Sequence, residues 1–190
     1  MRGRRVSMDP TTPNAMSTFR RPDRKQYYMN LALALRERAN CRGSRVGAVL
    51  VLEDRVISTG YNGVPQEMTN CEEGGCERCA NRGAKFPSGT AYDICICVHA
   101  EQNALLTAAR FGIGVQDAIL YSTMKPCFGC AKELLQAHVR EVYYLHEWTP
   151  KPELETEYKK ILGAFERVER IDIHDQQAEW ARGGERKLSA

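Results

Sequence analysis

The chain has 190 residues, 43% of them hydrophobic and 27% charged, with a formal net charge of +3. That length suits one domain with its own core, and no run approaches the roughly 20 apolar residues of a membrane span. Residues 1–25 hold seven Arg or Lys against two acids, which leaves about −2 for the remainder and argues against the broad basic face of a nucleic-acid binder.

Residues 1–23 mix Arg, Pro, Thr, Ser and Met without the apolar run of a secretory signal. They are expected to form a flexible leader on a cytoplasmic protein, with Met8 or Met16 as alternative starts. Residues 24–39 put Tyr28, Leu31, Ala32 and Leu35 on one stripe with Arg36 and Glu37 beyond it, an amphipathic helix. Residues 46–52 are continuously apolar, Glu53-Asp54 turns the chain and residues 55–59 return it, which predicts a hairpin buried under helices. Gly60-Tyr61-Asn62-Gly63 closes it.

Residues 64–98 carry Pro65, Gly74, Gly75, Gly83, Pro87 and Gly89 with little periodicity. Such a connection is far longer than the usual four to six or so residues and needs an internal organiser. A helical pattern with Ala104, Leu105 and Ala108 runs over 99–111. Strand patterns at 118–122 and 141–145 then flank a helix over about 127–137, the order of a parallel crossover. Leu154, Tyr158, Ile161 and Leu162 mark a helix stopped at Gly163, before a last strand with Val168 and Ile171. The expectation is an α/β fold, a three-layer αβα sandwich around a mixed five-stranded sheet, spanning residues 24–172. Residues 173–190 read as a polar tail with a short helical propensity.

Two clusters carry chemistry. His99-Ala100-Glu101 begins one helix, and Pro126-Cys127-Phe128-Gly129-Cys130 begins another after an intervening strand, with Pro126 suited to its first turn. In a crossover of this kind both helix starts fall on one edge of the sheet, where α/β proteins hold their sites. One imidazole and two thiolates suit zinc and leave a fourth position for water, whose pKa the metal lowers to about 7. Glu101, two residues from a ligand, is placed to move protons rather than to bind metal. A lone His99 would read as a cap and a lone C-x-x-C as a redox pair. Together, in this order, they match the H-x-E and P-C-x-x-C signature of zinc nucleobase deaminases.

With Val46-Gly47-Ala48-Val49, Gly60-Tyr61-Asn62-Gly63 and His99-Ala100-Glu101-Gln102-Asn103-Ala104 added to Pro126-Cys127-Phe128-Gly129-Cys130, the chain from about 24 to 172 resembles the deoxycytidylate deaminase family. The resemblance implies hydrolytic conversion of dCMP to dUMP and ammonia, feeding dTMP synthesis. It also implies that Asn62 lines the substrate pocket and that the Lys125 carbonyl accepts from the departing amine. Family members are homo-oligomers, dimers or hexamers, activated by dCTP and inhibited by dTTP. Gly60, Tyr61 and Gly63 match the regulatory turn, and Arg110 matches a position tied to assembly. The zinc motifs are shared with deaminases of tRNA adenosine, cytosine and guanine, which remain alternatives, as does a non-catalytic zinc-stabilised interaction module. On position alone, Arg45 and Lys125 are candidates for a phosphate, or else ordinary surface cations.

Six cysteines have no catalytic duty. Cys71, Cys76 and Cys79 lie in the 64–98 insertion, Cys41 before the first strand, and Cys95 and Cys97 before His99. A glycine-rich loop cannot hold itself by packing, whereas a thiolate zinc site supplies folding energy, so a second, structural zinc is expected. The family resemblance implies Cys41 and Cys71 as ligands. Cys76 and Cys79 follow from their spacing, with Cys95 or Cys97 as alternates. The alternation Ile94, Cys95, Ile96, Cys97, Val98 otherwise reads as core.

Overall fold

A computed structural model describes residues 20–87 and 90–184; most of the expected leader and the last six residues of the tail lie outside them. Asp23 starts α1 (Arg24–Arg36): its carboxylate accepts from the Gln26 N–H at 2.8 Å while Gln26 Oε1 accepts from the Asp23 N–H at 3.4 Å. This reciprocal cap satisfies two otherwise orphaned donors. β1 (Gly47–Leu52) and β2 (Arg55–Tyr61) form the hairpin, joined through Glu53 and Asp54, both at positive φ. Two left-handed residues match the right-handed twist of the flanking strands.

The insertion contains a short 3-10 turn at Cys71–Glu73, the single-turn helix α2 (Glu77–Ala80) and a second 3-10 turn at Tyr92–Ile94. Then come α3 (Ala100–Arg110), β3 (Ile119–Met124), α4 (Phe128–Gln136), β4 (Glu141–His146), α5 (Pro152–Leu162), β5 (Arg167–Arg170) and α6 (Ala178–Ala181). The five strands make one sheet in the order β2-β1-β3-β4-β5. β1 runs antiparallel to β2 and β3, while β3, β4 and β5 are parallel.

Period-two alternation sorts the core into two layers. Val49, Val51, Tyr121, Tyr143 and Leu145 face α1, where they pack on Tyr28, Met29 and Ala32. Ala48, Leu50, Leu120 and Val142 face Ala100 and Ala104 of α3, Leu134 of α4 and Tyr158 of α5. The expected αβα sandwich is therefore the observed one. Two glycines set its tightness. A Cβ at Gly47 would meet the Ala32 carbonyl oxygen at 2.1 Å, and one at Gly60 would meet the Ala100 carbonyl oxygen at 2.1 Å. Gly60 thus seats the first turn of α3 directly on β2.

Two elements differ from the sequence reading. Arg36, expected beyond the apolar stripe of α1, is buried, and so is Asp175 in the expected polar tail. Arg36 Nη1 and Nη2 donate to the two Asp175 oxygens at 2.6 and 2.8 Å, and His146 Nε2 lies 2.6 Å from the same carboxylate. Trp180 of α6 is buried over Arg45, 4.7 Å from guanidinium to ring. Residues 173–184 therefore dock on the domain by a paired charge that hydrophobic patterning cannot reveal. Ile94 and Ile96 are exposed rather than core, and only Cys97 of that alternation is fully turned inward. Among the described residues no helix is long and apolar enough to cross a membrane.

Burial alone would raise the Asp175 pKa, but hydrogen bonds from Arg36 and His146 outweigh it and hold the carboxyl well below the usual range. A depressed folded pKa stabilises the fold above the unfolded value of about 4 and loses that stabilisation as pH falls through the folded value. Asp175→Asn, which leaves Arg36 buried without a counter-charge, is expected to cost about 3–5 kcal/mol at pH 7 in denaturant unfolding. The difference from the parent should shrink below pH 4. A deficit that is constant down to pH 2 would contradict the assignment.

Candidate active site

The helices α3 and α4 begin at the same edge of the sheet, and each begins on a metal-ligand type. His99 is the N-cap of α3, its carbonyl accepting from the Asn103 N–H at 2.9 Å, and its own N–H donates to Gln102 Oε1 at 3.0 Å. Cys127 is the N-cap of α4, with its carbonyl taking the Ala131 N–H at 2.8 Å. Pro126 therefore sits just before the cap rather than in the first turn. The segment entering His99 is pinned by Val98, which exchanges backbone hydrogen bonds with Gly63 at 2.8 and 3.2 Å.

These caps bring three donors together. His99 Nδ1 lies 3.3 Å from Cys130 Sγ and 3.4 Å from Cys127 Sγ, and all three atoms are within 4.8 Å of one another. Zinc–sulfur and zinc–nitrogen bonds of about 2.3 and 2.0–2.1 Å in tetrahedral array imply edges of roughly 3.6–3.8 Å, so the set fits a zinc ion with only small adjustment. Hydrogen bonding from Cys130, and then His99, draws the Cys127 thiol down to about 4 against the cost of burial. Cys130, beside that sulfur and itself buried, is pushed up. Burial works against a charged His99, yet the hydrogen bond to Cys127 and its charge carry the imidazole to about 9.

Glu101 projects beneath this group and is only 4% exposed. Its Oε1 accepts from Ser122 Oγ of β3 at 3.0 Å, and burial pushes its pKa up. A carboxyl kept from water beside a metal-type triad is suited to carrying a proton in both directions.

Glu101 lies in the wall of a cleft of about 80 Å³ that His99, Ala100, Met124, Cys127 and Trp148 also line. Asn62 lines it, but its amide is already engaged: Oδ1 accepts from the Val46 N–H at 2.8 Å and Nδ2 donates to the Ser44 carbonyl at 2.7 Å. Lys125 lines it too, its Nζ 3.2 Å from Glu147. Arg45 does not line this cleft. It donates to the Trp180 carbonyl at 2.7 Å and borders a neighbouring groove that contains Gly60, Tyr61 and Gly63. Arg110 lies outside that groove, exposed at the end of α3 with its guanidinium 5.7 Å from the Phe111 ring.

Sequence reasoning missed Ser122, Arg78 and Arg82; the two arginines line the cleft, as does Trp148. Arg78 is buried, its Nε and Nη2 donating to the Thr90 carbonyl at 3.1 and 3.0 Å and its guanidinium 4.5 Å from the Tyr92 ring. A serine inside the apolar run of β3 was the available signal for Ser122. No pattern marks two arginines in an aperiodic loop. Of the six other cysteines, Cys41, Cys71 and Cys79 gather with Cys97, whereas Cys76 gathers with Cys79, Cys95 and Cys97.

Residues 22–146 match the family described as the cytidine and deoxycytidylate deaminase zinc-binding region. The chain belongs to this deaminase family. It is 46% identical over 124 residues to the deoxycytidylate deaminase of Schizosaccharomyces pombe, covering 65% of this chain and 37% of that protein. With the Saccharomyces cerevisiae deoxycytidylate deaminase it shares 43% over 129 residues, 68% of this chain and 39% of that one. The chain thus spans under two fifths of these yeast relatives. The deoxycytidylate deaminase of Mycobacterium phage D29 is 36% identical over 132 residues, covering 67% of this chain and 98% of the phage protein. Among solved structures, the cyanophage S-TIM5 dCMP deaminase, in complex with dCMP and dUMP, superposes with a TM-score of 0.60 at 27% identity over 80% of this chain and all of that one. Zinc is thus the metal of the family's shared region.

Proposed function

We propose that this chain hydrolyses deoxycytidylate to deoxyuridylate and ammonia. The observation that carries the reading is the buried Glu101, held by Ser122 against the gathered His99, Cys127 and Cys130 under a cleft lined by cationic side chains. The deoxycytidylate deaminases among its relatives support the substrate choice.

His99, Cys127 and Cys130 would hold the zinc, which when bound would supply the Lewis acidity that makes water nucleophilic near neutral pH. Glu101 does the proton work. It accepts one proton of the water that attacks C4 and hands it to ring N3, then takes the remaining proton from the new C4 hydroxyl and gives it to the amine as the C4–N bond breaks, leaving a carbonyl and ammonia. Its burial favours the protonated form needed for the later steps, while Ser122 stabilises the ionised form needed for the first. Asn62 braces the wall of the cleft through the Ser44 and Val46 backbone, and the Lys125 carbonyl is assigned to the departing amine.

Arg78, Arg82 and Lys125 are assigned to the phosphate. Arg78 suits this best: the Thr90 carbonyl and the Tyr92 ring fix its guanidinium, so little side-chain freedom is lost on binding an anion. Arg45, committed to Trp180, instead belongs with the Gly60, Tyr61 and Gly63 groove, which is assigned to dCTP or dTTP binding in a homo-oligomer, with Arg110 at the assembly surface. The product then feeds thymidylate synthesis in the cytoplasm.

Ammonia release measured on dCMP, deoxycytidine, cytosine, guanine and a tRNA stem-loop tests the reading, with dCMP expected to be the preferred substrate. Glu101→Gln is expected to lower kcat about 10²–10⁴-fold with zinc content unchanged; loss of zinc instead would reassign that side chain as a ligand. Arg78→Gln is expected to raise KM for dCMP about 10-fold or more while deoxycytidine turnover changes little. Equal losses on nucleotide and nucleoside would refute the phosphate contact.

A further inference from the structure

The six cysteines outside the active site sort into two groups of four. The sulfurs of Cys41, Cys71, Cys79 and Cys97 lie within 4.8 Å of one another, and so do those of Cys76, Cys79, Cys95 and Cys97. Cys79 and Cys97 belong to both groups. Neighbouring sulfurs stand 3.8 Å apart for Cys41 and Cys79, 3.7 Å for Cys79 and Cys95, and 3.9 Å for Cys76 and Cys95. Four thiolates around zinc, each at about 2.3 Å, have edges of about 3.8 Å. The arrangement is that of two tetrahedra fused along one edge.

We propose that these six cysteines hold a binuclear zinc cluster, with Cys79 and Cys97 bridging two ions, Cys41 and Cys71 completing the first and Cys76 and Cys95 the second. A single zinc would occupy one tetrahedron and leave two thiols idle beside it. Two ions use all six sulfurs, and thiolate sets of this softness select zinc-type metals. Six thiolates and two dications leave two negative charges, and two arginines lie beside the group: Arg78 directly precedes Cys79 in α2, and Arg82 Nη1 lies against the Gly43 turn beside Cys41. Backbone N–H groups of Arg42 and Gly43 donate to Cys71 and Cys41, each at 3.4 Å. Five of the six sulfur-bearing residues are buried, the packed centre of an insertion that otherwise contributes few apolar side chains to the main core.

The cluster ties three distant stretches together: residues 41–43 ahead of β1, the insertion around α2, and residues 95–97 running into His99. Cys41, Cys95 and Cys97 share the wall of the active-site cleft with Arg78 and Arg82. It therefore holds the phosphate-facing wall, although the metal count it requires is independent of which nucleotide the enzyme takes.

The test is the metal content of the full-length chain and of Cys127→Ala, which removes an active-site donor and leaves the cluster intact. The parent is expected to bind three zinc ions and the variant two. One zinc in the variant would overturn the proposal, whatever the deaminase assays give. Cadmium-113 substitution of the parent needs no variant: beside one uncoupled resonance from the His99, Cys127 and Cys130 site, two further resonances split by mutual coupling through the shared sulfurs are expected. The absence of any mutually coupled pair would overturn it.

Discussion

The site depends on two helix N-termini being brought to one point at the sheet edge. His99 and Cys127 are each the capping residue of their helix, so backbone geometry fixes where the imidazole and the first sulfur begin, and Cys130 follows one turn on. The approach of the two helices is in turn a steric fact. Gly60 lets the first turn of α3 lie against β2 at a distance no side chain would permit, and the parallel β3–α4–β4 crossover delivers Cys127 to the same edge. Glu101 comes to the reacting position as a consequence, because it is in the same turn as His99 and points toward Ser122 of the neighbouring strand.

Around that point the molecule solves a different problem. A long insertion of small and polar residues contributes little hydrophobic stabilisation, yet it must hold Arg78 and Tyr92 in fixed relation to the cleft. Thiols gathered in one buried nucleus do for this segment what apolar side chains do elsewhere. The C-terminal segment is held by another polar device, the Arg36 and Asp175 pair with His146, which contributes to docking only while the carboxylate stays ionised.

Much of this was legible in the sequence because it rests on local rules. Period-two and period-3.6 patterns located the strands and helices, Glu53-Asp54 marked the hairpin turn, and the spacing of His99, Glu101, Cys127 and Cys130 pointed to one shared site. What was not legible depends on contacts between residues far apart in the chain. Arg36 looked like the solvated end of an amphipathic stripe because its partner, Asp175, lies in the far tail. Arg45 looked available until Trp180 covered it, and the Ile94–Val98 alternation suggested core where the chain instead turns Cys97 into the thiol cluster. Spacing within the insertion suggested Cys76 and Cys79 as partners of Cys41 and Cys71, with Cys95 or Cys97 as alternates; in the fold Cys97 gathers with Cys41, Cys71 and Cys79, and both Cys79 and Cys97 also stand with Cys76 and Cys95.

The most direct test of the account is an anomalous difference map collected at the zinc absorption edge from crystals of the full chain. A peak bonded to His99 Nδ1 and to Cys127 and Cys130 Sγ, with the Glu101 carboxylate nearby but outside the coordination, is the predicted result. Zinc-replete crystals lacking density at those three atoms, or with Glu101 bound to the metal, would contradict it.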